Sequence, residues 1–90
     1  MSAEPFFDLA PPPRLTMRTI AFRVAEKHGL TLDDLRSPSR RRPLVVARQE
    51  AMHEIRQATT QSLPAIGRFF DRDHTTVIHA LERHAARLQA

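Results

Sequence analysis

Apolar side chains in this chain recur at helical spacing, in segments bounded by helix-start and helix-stop residues. The first segment follows Thr16, a residue suited to an N-cap, and Leu15 and Ile20 are spaced for a hydrophobic staple. It stops before Gly29, which suits the C′ position of a helix. No segment alternates apolar and polar residues as a half-buried strand does. The sequence therefore predicts an all-α domain, with a first apolar stripe of Met17, Ile20, Ala21, Val24 and Ala25.

Four further helices follow from the same signals, and each begins at a residue that can cap it or that tolerates the first turn. They are a short helix from Thr31 to about Arg36, a longer one over about 44–58 after Pro43, one over about 62–70 capped by Ser62, and a last one over about 73–88 capped by Asp73.

Helical spacing also predicts which faces of the two longest of these helices are buried. The helix at 44–58 is expected to bury Leu44, Ala47, Ala51, Ile55 and Ala58, with Met52 widening the face. The last helix is expected to bury Ile78, Leu81, Ala85 and Leu88, and His79 is expected to pack or hydrogen-bond within the domain.

The first fifteen residues differ from the rest, because four of them are proline and prolines exclude a helix interior. We expect a tail over residues 1–15 and one domain over residues 16–90. Phe6, Phe7 and Leu9 are unusual in a tail. Two interpretations stay open: this segment packs on the domain or is disordered, or it docks on a partner as a short linear motif.

Charge is the composition feature that most narrows function. The 90-residue chain carries a net charge of +4, and residues 36–56 alone carry six Arg against two Glu. Thirteen of its fourteen basic residues are Arg, whose planar fork suits phosphate and guanine edges. A basic domain of this kind points first to nucleic acid, although a solvated basic face is the plain alternative.

Several other classes of protein find no support in the sequence. No apolar run reaches a membrane span and no signal peptide is evident, so we expect a cytoplasmic, nucleoid-associated protein without a membrane partner. The chain has no cysteine, so disulfides and thiolate metal sites are excluded. It has only two glycines, so a phosphate-binding glycine loop is excluded. No nucleophile elbow or paired-carboxylate cleft is evident. We therefore expect no enzyme, no cofactor and no bound nucleotide.

The five histidines do not form a metal-binding pattern. His74, His79 and His84 are five residues apart, so that each is turned about 140° from the last on a helix. They do not share a face, and the H-E-x-x-H pattern is missing. We expect no metal site.

The stretch "RDHTTVIHA", Arg72 to Ala80, combines a tight turn with a polar helix start. Two short helices joined by such a turn are typical of a helix-turn-helix, in which the start of the second helix meets base edges in the major groove. Asp73, His74, Thr75 and Thr76 are short or planar groups suited to that task. A helix cap without further function is the alternative interpretation.

"RDHTTVIHA" also closely resembles the hallmark of the DNA-binding C-terminal domain of DnaA, the bacterial chromosomal replication initiator. The resemblance includes "SLPAIGRFF", "ARQEAM" and the basic loop "SPSRRRP", and runs from about Met17 to Leu88. It implies a helical domain that binds short A·T-containing boxes in double-stranded DNA, with a helix-turn-helix in the major groove and a loop arginine in the adjacent minor groove.

The resemblance also assigns roles to individual residues. Base readout would fall to Asp73, His74 and Thr75 in the major groove, with His74 against a thymine methyl, and to Arg40 in the minor groove. Contacts to the DNA backbone or edge would come from Arg41, Arg42, Arg48, Gln49, Arg56, Leu63, Pro64, Arg72 and Thr76.

Two departures from the family pattern limit the inference. The turn reads "FDRDH", one residue shorter than the family's "FGGRDH", and a turn of different length can rotate the recognition helix, so the exact base preference stays open. The family's ATPase module does not fit in 90 residues. We therefore expect a stand-alone domain that regulates replication initiation or transcription at initiator boxes. The alternative is a helical interaction module that contacts a replication or regulatory protein without specific DNA binding.

Overall fold

The computed structural model describes residues 15–89, and all regular structure in that range is helical. In chain order the helices are α1 (Met17–Lys27), α2 (Leu32–Arg36), α3 (Arg42–Ala58), α4 (Leu63–Phe69) and α5 (His74–Leu88). The predicted all-α class and the number and order of the helices are confirmed. The predictions for the N-terminal tail lie outside the described residues, apart from Leu15.

Side-chain caps begin four of the five helices, at the residues that the sequence indicates. Each cap oxygen accepts from a backbone N–H three residues on: Thr16 from Thr19, Thr31 from Asp34, Ser62 from Ala65 and Asp73 from Thr76. The exception is α3, whose Arg41 makes no side-chain cap bond and which has Pro43 in its first turn. Local sequence thus determines where these helices start.

The long helix α3 lies at the centre and packs against α1 on one side and α5 on the other. Its inward face is formed by small and medium side chains, which let both neighbours approach closely. The fully buried members of the core include Leu35, Ala47, Ala51, Met52, Ile55, Ile66, Phe70 and Val77. The predicted inward face of α3 is confirmed except at its last residue, Ala58, which is exposed at the helix end.

The predicted inward face of α5 was displaced by about one residue, although Leu81 packs against the core as predicted. The buried residues are Val77, Ala80 and His84, whereas Leu88 is 66% exposed. Ala85 and His79 are exposed as well. Both stripes have helical spacing, so spacing alone could not distinguish them. Packing against α3 selects the face with the small Ala80, and the ring of His84 contacts that of His53 in α3, with centroids 4.6 Å apart and planes tilted by 44°.

The turn after α1 ends the helix with a left-handed residue. Gly29 has φ of 71°, its N–H donates to the Glu26 carbonyl at 3.0 Å, and the Leu30 N–H donates to the Ala25 carbonyl at 2.8 Å. These are the two hydrogen bonds of a Schellman motif, and the predicted C′ role of Gly29 is confirmed.

Candidate nucleic-acid interface

The connection between α4 and α5 is also a Schellman turn, with Asp71 at the left-handed position. Asp71 has φ of 58°, its N–H donates to the Arg68 carbonyl at 3.2 Å, and the Arg72 N–H donates to the Gly67 carbonyl at 2.7 Å. Asp is among the few non-glycine residues that adopt this conformation at moderate cost. The shortened turn is therefore compatible with a regular end of α4.

Gly67 allows this turn to lie directly on α4. Gly67 is buried, and a Cβ placed on it would collide with the carbonyl oxygen of Arg72 and come within 3.2 Å of the carbonyl carbon of Asp73. The backbone of the turn therefore occupies the space that any other side chain would need. This close approach sets the position of α5 relative to α4.

The first turn of α5 presents exposed polar groups. The Asp73 carboxylate accepts from the Thr76 backbone N–H at 2.9 Å and from the Thr76 hydroxyl at 3.0 Å. These hydrogen bonds hold the pKa of the Asp73 carboxyl below its ordinary value. His74 and Thr75 are exposed and lie in the same turn. Asp73 thus caps the helix, and the ring of His74 and the hydroxyl and methyl of Thr75 face solvent.

The basic loop between α2 and α3 and the first residue of α3 carry three exposed arginines, Arg40, Arg41 and Arg42. Short hydrogen bonds within the loop shape it: the Ser37 hydroxyl oxygen accepts from the Ser39 N–H at 3.4 Å, and the Ser39 hydroxyl oxygen accepts from the Arg41 N–H at 3.2 Å. The loop is thus an ordered turn from which the arginine side chains project.

Two further arginines behave differently, because their guanidiniums face the protein. Arg48 is only 6% exposed and donates to the carbonyls of Leu35, Ser37 and Ser39 at 2.6, 3.1 and 3.2 Å. Arg72 is half-buried and donates to the carbonyls of Phe70 and Ser37. Burial and the nearby charge of Arg72 lower the pKa of Arg48 to about 10, so Arg48 stays charged at neutral pH.

A groove of about 530 Å³ brings the basic loop and the start of α5 together. It is lined by Arg36, Pro38, Arg40, Arg48, Asp71, Arg72 and Thr76. Four of the predicted site residues therefore share one concave, strongly basic surface. Sequence analysis missed Arg36 and Asp71 as members, because nothing in the local pattern shows that the end of α2 lies beside the turn after α4.

The other predicted residues do not line this groove; they include Arg41, Arg42, Leu63, Pro64, Asp73, His74 and Thr75. Leu63 is half-buried and Pro64 is exposed at the start of α4, where Arg56 donates to the nearby Gln61 carbonyl at 2.9 Å. Gln49 is half-buried, and its side-chain carbonyl accepts from Arg87 at 2.7 Å. A second groove of about 500 Å³ joins Gln49 to Arg48, Arg72 and Thr76, whereas Arg56 lines neither groove.

The histidines are spread over the surface and the helix interfaces. His79, expected within the domain, is instead exposed and lines the second groove, while His84 is the buried histidine of α5. Within residues 15–89, no group of three or more His, Asp or Glu side chains is arranged to hold a metal ion.

None of the helices in the described part of the chain is long and apolar enough to cross a membrane.

Comparison with known proteins gives one consistent family. Residues 17–83 match the family described as the bacterial dnaA protein helix-turn-helix. The chain is 44% identical, over 70 residues, to the chromosomal replication initiator protein DnaA of Deinococcus radiodurans. This alignment covers 78% of the present chain and 15% of the Deinococcus protein. It is 39% identical over 94 aligned positions to the DnaA protein of Symbiobacterium thermophilum, which covers the whole of this chain and 20% of the relative.

The chain thus spans a fifth or less of the length of these relatives, and the matched part is the helical domain described above. The match contains α4, the turn at Asp71 and α5 as far as Arg83. The chain therefore belongs to the bacterial DnaA helix-turn-helix family of DNA-binding domains.

Proposed function

We propose that this domain reads double-stranded DNA at DnaA-box-like sites, with the start of α5 in the major groove and Arg40 in the adjacent minor groove. The observation that carries the proposal is the shared groove, which places the arginine loop beside the first turn of α5. Two neighbouring grooves of a duplex are separated by one phosphate backbone. A concave surface lined by four arginines is suited to such a polyanion.

The exposed groups of α5 suit base readout. The hydroxyl and methyl of Thr75 can serve a base edge or a thymine methyl, and the flat ring of His74 can pack on a thymine methyl. Asp73 stays ionised and can accept from cytosine N4 while it caps the helix. A histidine and a threonine in the first turn are not needed for capping, because Asp73 and Thr76 already provide that.

Contacts to the DNA backbone and edge are proposed for a further set of residues. These are Arg41, Arg42, Gln49, Arg56, Leu63, Pro64 and Thr76. If roughly four to six phosphates are neutralised, the logarithm of the affinity should fall with the logarithm of salt concentration at a slope of about −4 to −5. A flat salt dependence would contradict this proposal.

The test compares a DnaA-box duplex with a scrambled duplex of equal composition, using fluorescence anisotropy. We expect Thr75→Ala and His74→Ala to lose about 1–3 kcal/mol on the box and much less on the scrambled duplex, because base contacts specify sequence. Arg40→Ala should lose affinity mainly where the flanking minor groove is narrow and A·T-rich. The matched control is Arg23→Ala, an exposed arginine of α1 in the groove between α1 and α3. Equal losses on every duplex would refute the assignment.

We also propose that the domain regulates replication initiation or transcription by occupying boxes. The chain matches the helix-turn-helix family and corresponds to a fifth or less of the length of these relatives. By mass action it would exclude an initiator from a shared box in proportion to its concentration over its dissociation constant. Footprinting of an origin fragment, with initiator held constant and this chain titrated in, tests this. Initiator protection that persists while this chain is bound to its own best site would rule out competition.

The alternative function, an interaction module without specific DNA binding, is not favoured by the family match. A domain of that kind has no need for exposed base-reading groups beside a basic groove.

A further inference from the structure

The backbone carbonyl of Ser37 is the meeting point of two arginines from different parts of the chain. It accepts from Arg48 Nη2 at 3.1 Å and from Arg72 Nη2 at 2.8 Å. Ser37 is the first residue of the basic loop, Arg48 lies in α3, and Arg72 lies in the turn before α5. One carbonyl in the loop thus binds two arginines that lie 11 and 35 residues further along the sequence.

The remaining bonds of the two guanidiniums extend this connection in both directions. Arg48 Nε donates to the Leu35 carbonyl at 2.6 Å, and its Nη2 also reaches the Ser39 carbonyl, so Arg48 holds both ends of the turn before Arg40. Arg72 Nη1 donates to the Phe70 carbonyl at 2.7 Å, so Arg72 holds the last residues of α4. Every one of these acceptors is a backbone carbonyl, which side-chain rotation cannot move.

Arg36 adds a parallel connection. Its Nε donates to the Phe69 carbonyl at 2.8 Å, and its guanidinium lies 5.0 Å from the centre of the Phe69 ring. The start of the basic loop is therefore attached to the end of α4 at two adjacent residues, Phe69 and Phe70.

We propose that Arg48 and Arg72 are positioning residues that couple the basic loop to the recognition helix, and so fix where Arg40 meets the minor groove relative to the bases read by α5. This inference rests on the proposed function. It differs from the assignment of both arginines as phosphate contacts, because their hydrogen bonds already go to the protein. For Arg48, 6% exposed, little surface remains for DNA.

The two neighbouring positive charges at this carbonyl repel each other, so the hydrogen bonds of both guanidiniums must offset an unfavourable electrostatic energy. Burial and the charge of Arg72 lower the pKa of Arg48.

The test uses Arg72, because it is half-buried and its replacement leaves the core untouched. Arg72→Lys keeps the charge but loses the planar fork that reaches two carbonyls at once. Arg72→Met loses both charge and fork. Arg23→Met is the control for loss of one exposed positive charge. Affinities are measured on four duplexes, in which the box core is intact or altered and the flank is A·T-rich or G·C-rich.

For the unmodified domain we expect about tenfold preference for the A·T-rich flank over the G·C-rich flank. Arg72→Lys should reduce this flank ratio to about twofold or less while the core ratio and the salt slope are kept. A phosphate contact predicts the reverse pattern: Lys restores the affinity, and Met weakens binding on all four duplexes and reduces the salt slope by about one. That second pattern would overturn the proposal.

A measurement without DNA separates this proposal from the proposed function. The chain has no cysteine, so spin labels can be placed at Pro38→Cys in the loop and His79→Cys on α5, both exposed positions. We expect a single narrow distance distribution that broadens with Arg72→Lys and stays narrow with Arg23→Met. An unchanged distribution with Arg72→Lys overturns the coupling. Failure of the unmodified domain to prefer a box overturns the proposed function alone.

Discussion

Two turns of this domain share one backbone motif but use glycine differently. After α1, Gly29 itself occupies the left-handed position, and no atom lies within 4 Å of the place where a Cβ would be. After α4, Asp71 occupies the left-handed position, and the glycine is four residues earlier, where the turn lies on the helix. The turn after α1 needs a residue that adopts the left-handed conformation easily, whereas the turn after α4 needs a residue without a side chain at the point where the turn contacts the helix.

The difference reflects what each turn must hold in place. The turn after α1 only has to end a helix before α2 begins, so its surroundings can stay open. The turn after α4 fixes α5 against α4 and carries Arg72, which binds the basic loop. Close packing of backbone on backbone determines that orientation, and Asp71 accepts moderate strain at the left-handed position. The comparison predicts that the two turns respond differently to the same kinds of substitution.

The largest effect is expected at the second turn. Gly67→Ala places a Cβ against the Arg72 carbonyl, which belongs to the backbone and can move only with the whole turn. We expect a loss of about 1–3 kcal/mol in the free energy of unfolding, together with weaker binding to the box. Urea unfolding and anisotropy measure both quantities. Arg68→Ala, an exposed neighbour in α4, should stay within about 0.5 kcal/mol. Wild-type stability and affinity for Gly67→Ala would contradict the packing role.

The first turn should lose stability without losing DNA recognition. In Gly29→Ala the new Cβ has space, but the left-handed conformation costs a non-glycine residue about 1–2 kcal/mol. The free energy of unfolding should fall by about that amount, and the ratio of affinities for box and scrambled duplex should not change. A changed ratio would show that the two turns are not independent.

A smaller effect of opposite sign is expected from Asp71→Gly. Removing the strain gains about 1–2 kcal/mol, and the extra freedom of glycine in the unfolded chain costs about 0.5–1 kcal/mol. The net result should be a gain of between zero and about 1.5 kcal/mol, read from thermal or urea unfolding. Asp71→Asn is the control, since it removes the same charge and keeps a residue that tolerates this conformation. If Asp71→Gly is less stable than Asp71→Asn, the strain argument is wrong.

The smallest effect is a difference in pH dependence between two helix starts, that of α5 and that of α1. The pKa of the Asp73 carboxyl is lower in the folded domain than its ordinary value of about 3.9. The cap therefore stabilises the fold fully above that ordinary pKa, and this stabilisation is lost as the pH falls through the pKa of the folded state. The Thr16 cap of α1 does not titrate. Amide exchange of Thr76 should therefore accelerate on acidification relative to that of Thr19. Parallel behaviour of the two amides would contradict the cap assignment.

Local patterns were sufficient to predict much of this fold. Thr16, Thr31, Ser62 and Asp73 all cap helices, and Gly29 ends one, because capping depends on residues within a few positions of each other. The face of α5 was predicted incorrectly, because two stripes fit the same period and only packing against α3 separates them.

Four of the seven residues that line the groove at the basic loop were predicted as site residues, but the contacts that position them were not. The exposure of His74 and Thr75 follows from their place in the first turn of α5. The orientation of Arg48 and Arg72 toward the Ser37 carbonyl depends on contacts between distant parts of the chain, and backbone carbonyls leave no signal in a sequence. An arginine in a basic segment looks the same whether it faces DNA or holds a loop.

The central claim is that one face of the domain, formed by the basic loop and the start of α5, binds duplex DNA in a sequence-preferring way. The most direct test is an NMR titration of the ¹⁵N-labelled domain with a box duplex and with a scrambled duplex. We predict amide shifts at Arg40, Leu63 and residues 72–76 that are larger with the box, and little change in the groove formed by Arg23, Lys27 and Glu54. Shifts concentrated in that second groove, or identical shifts with both duplexes, would contradict the account.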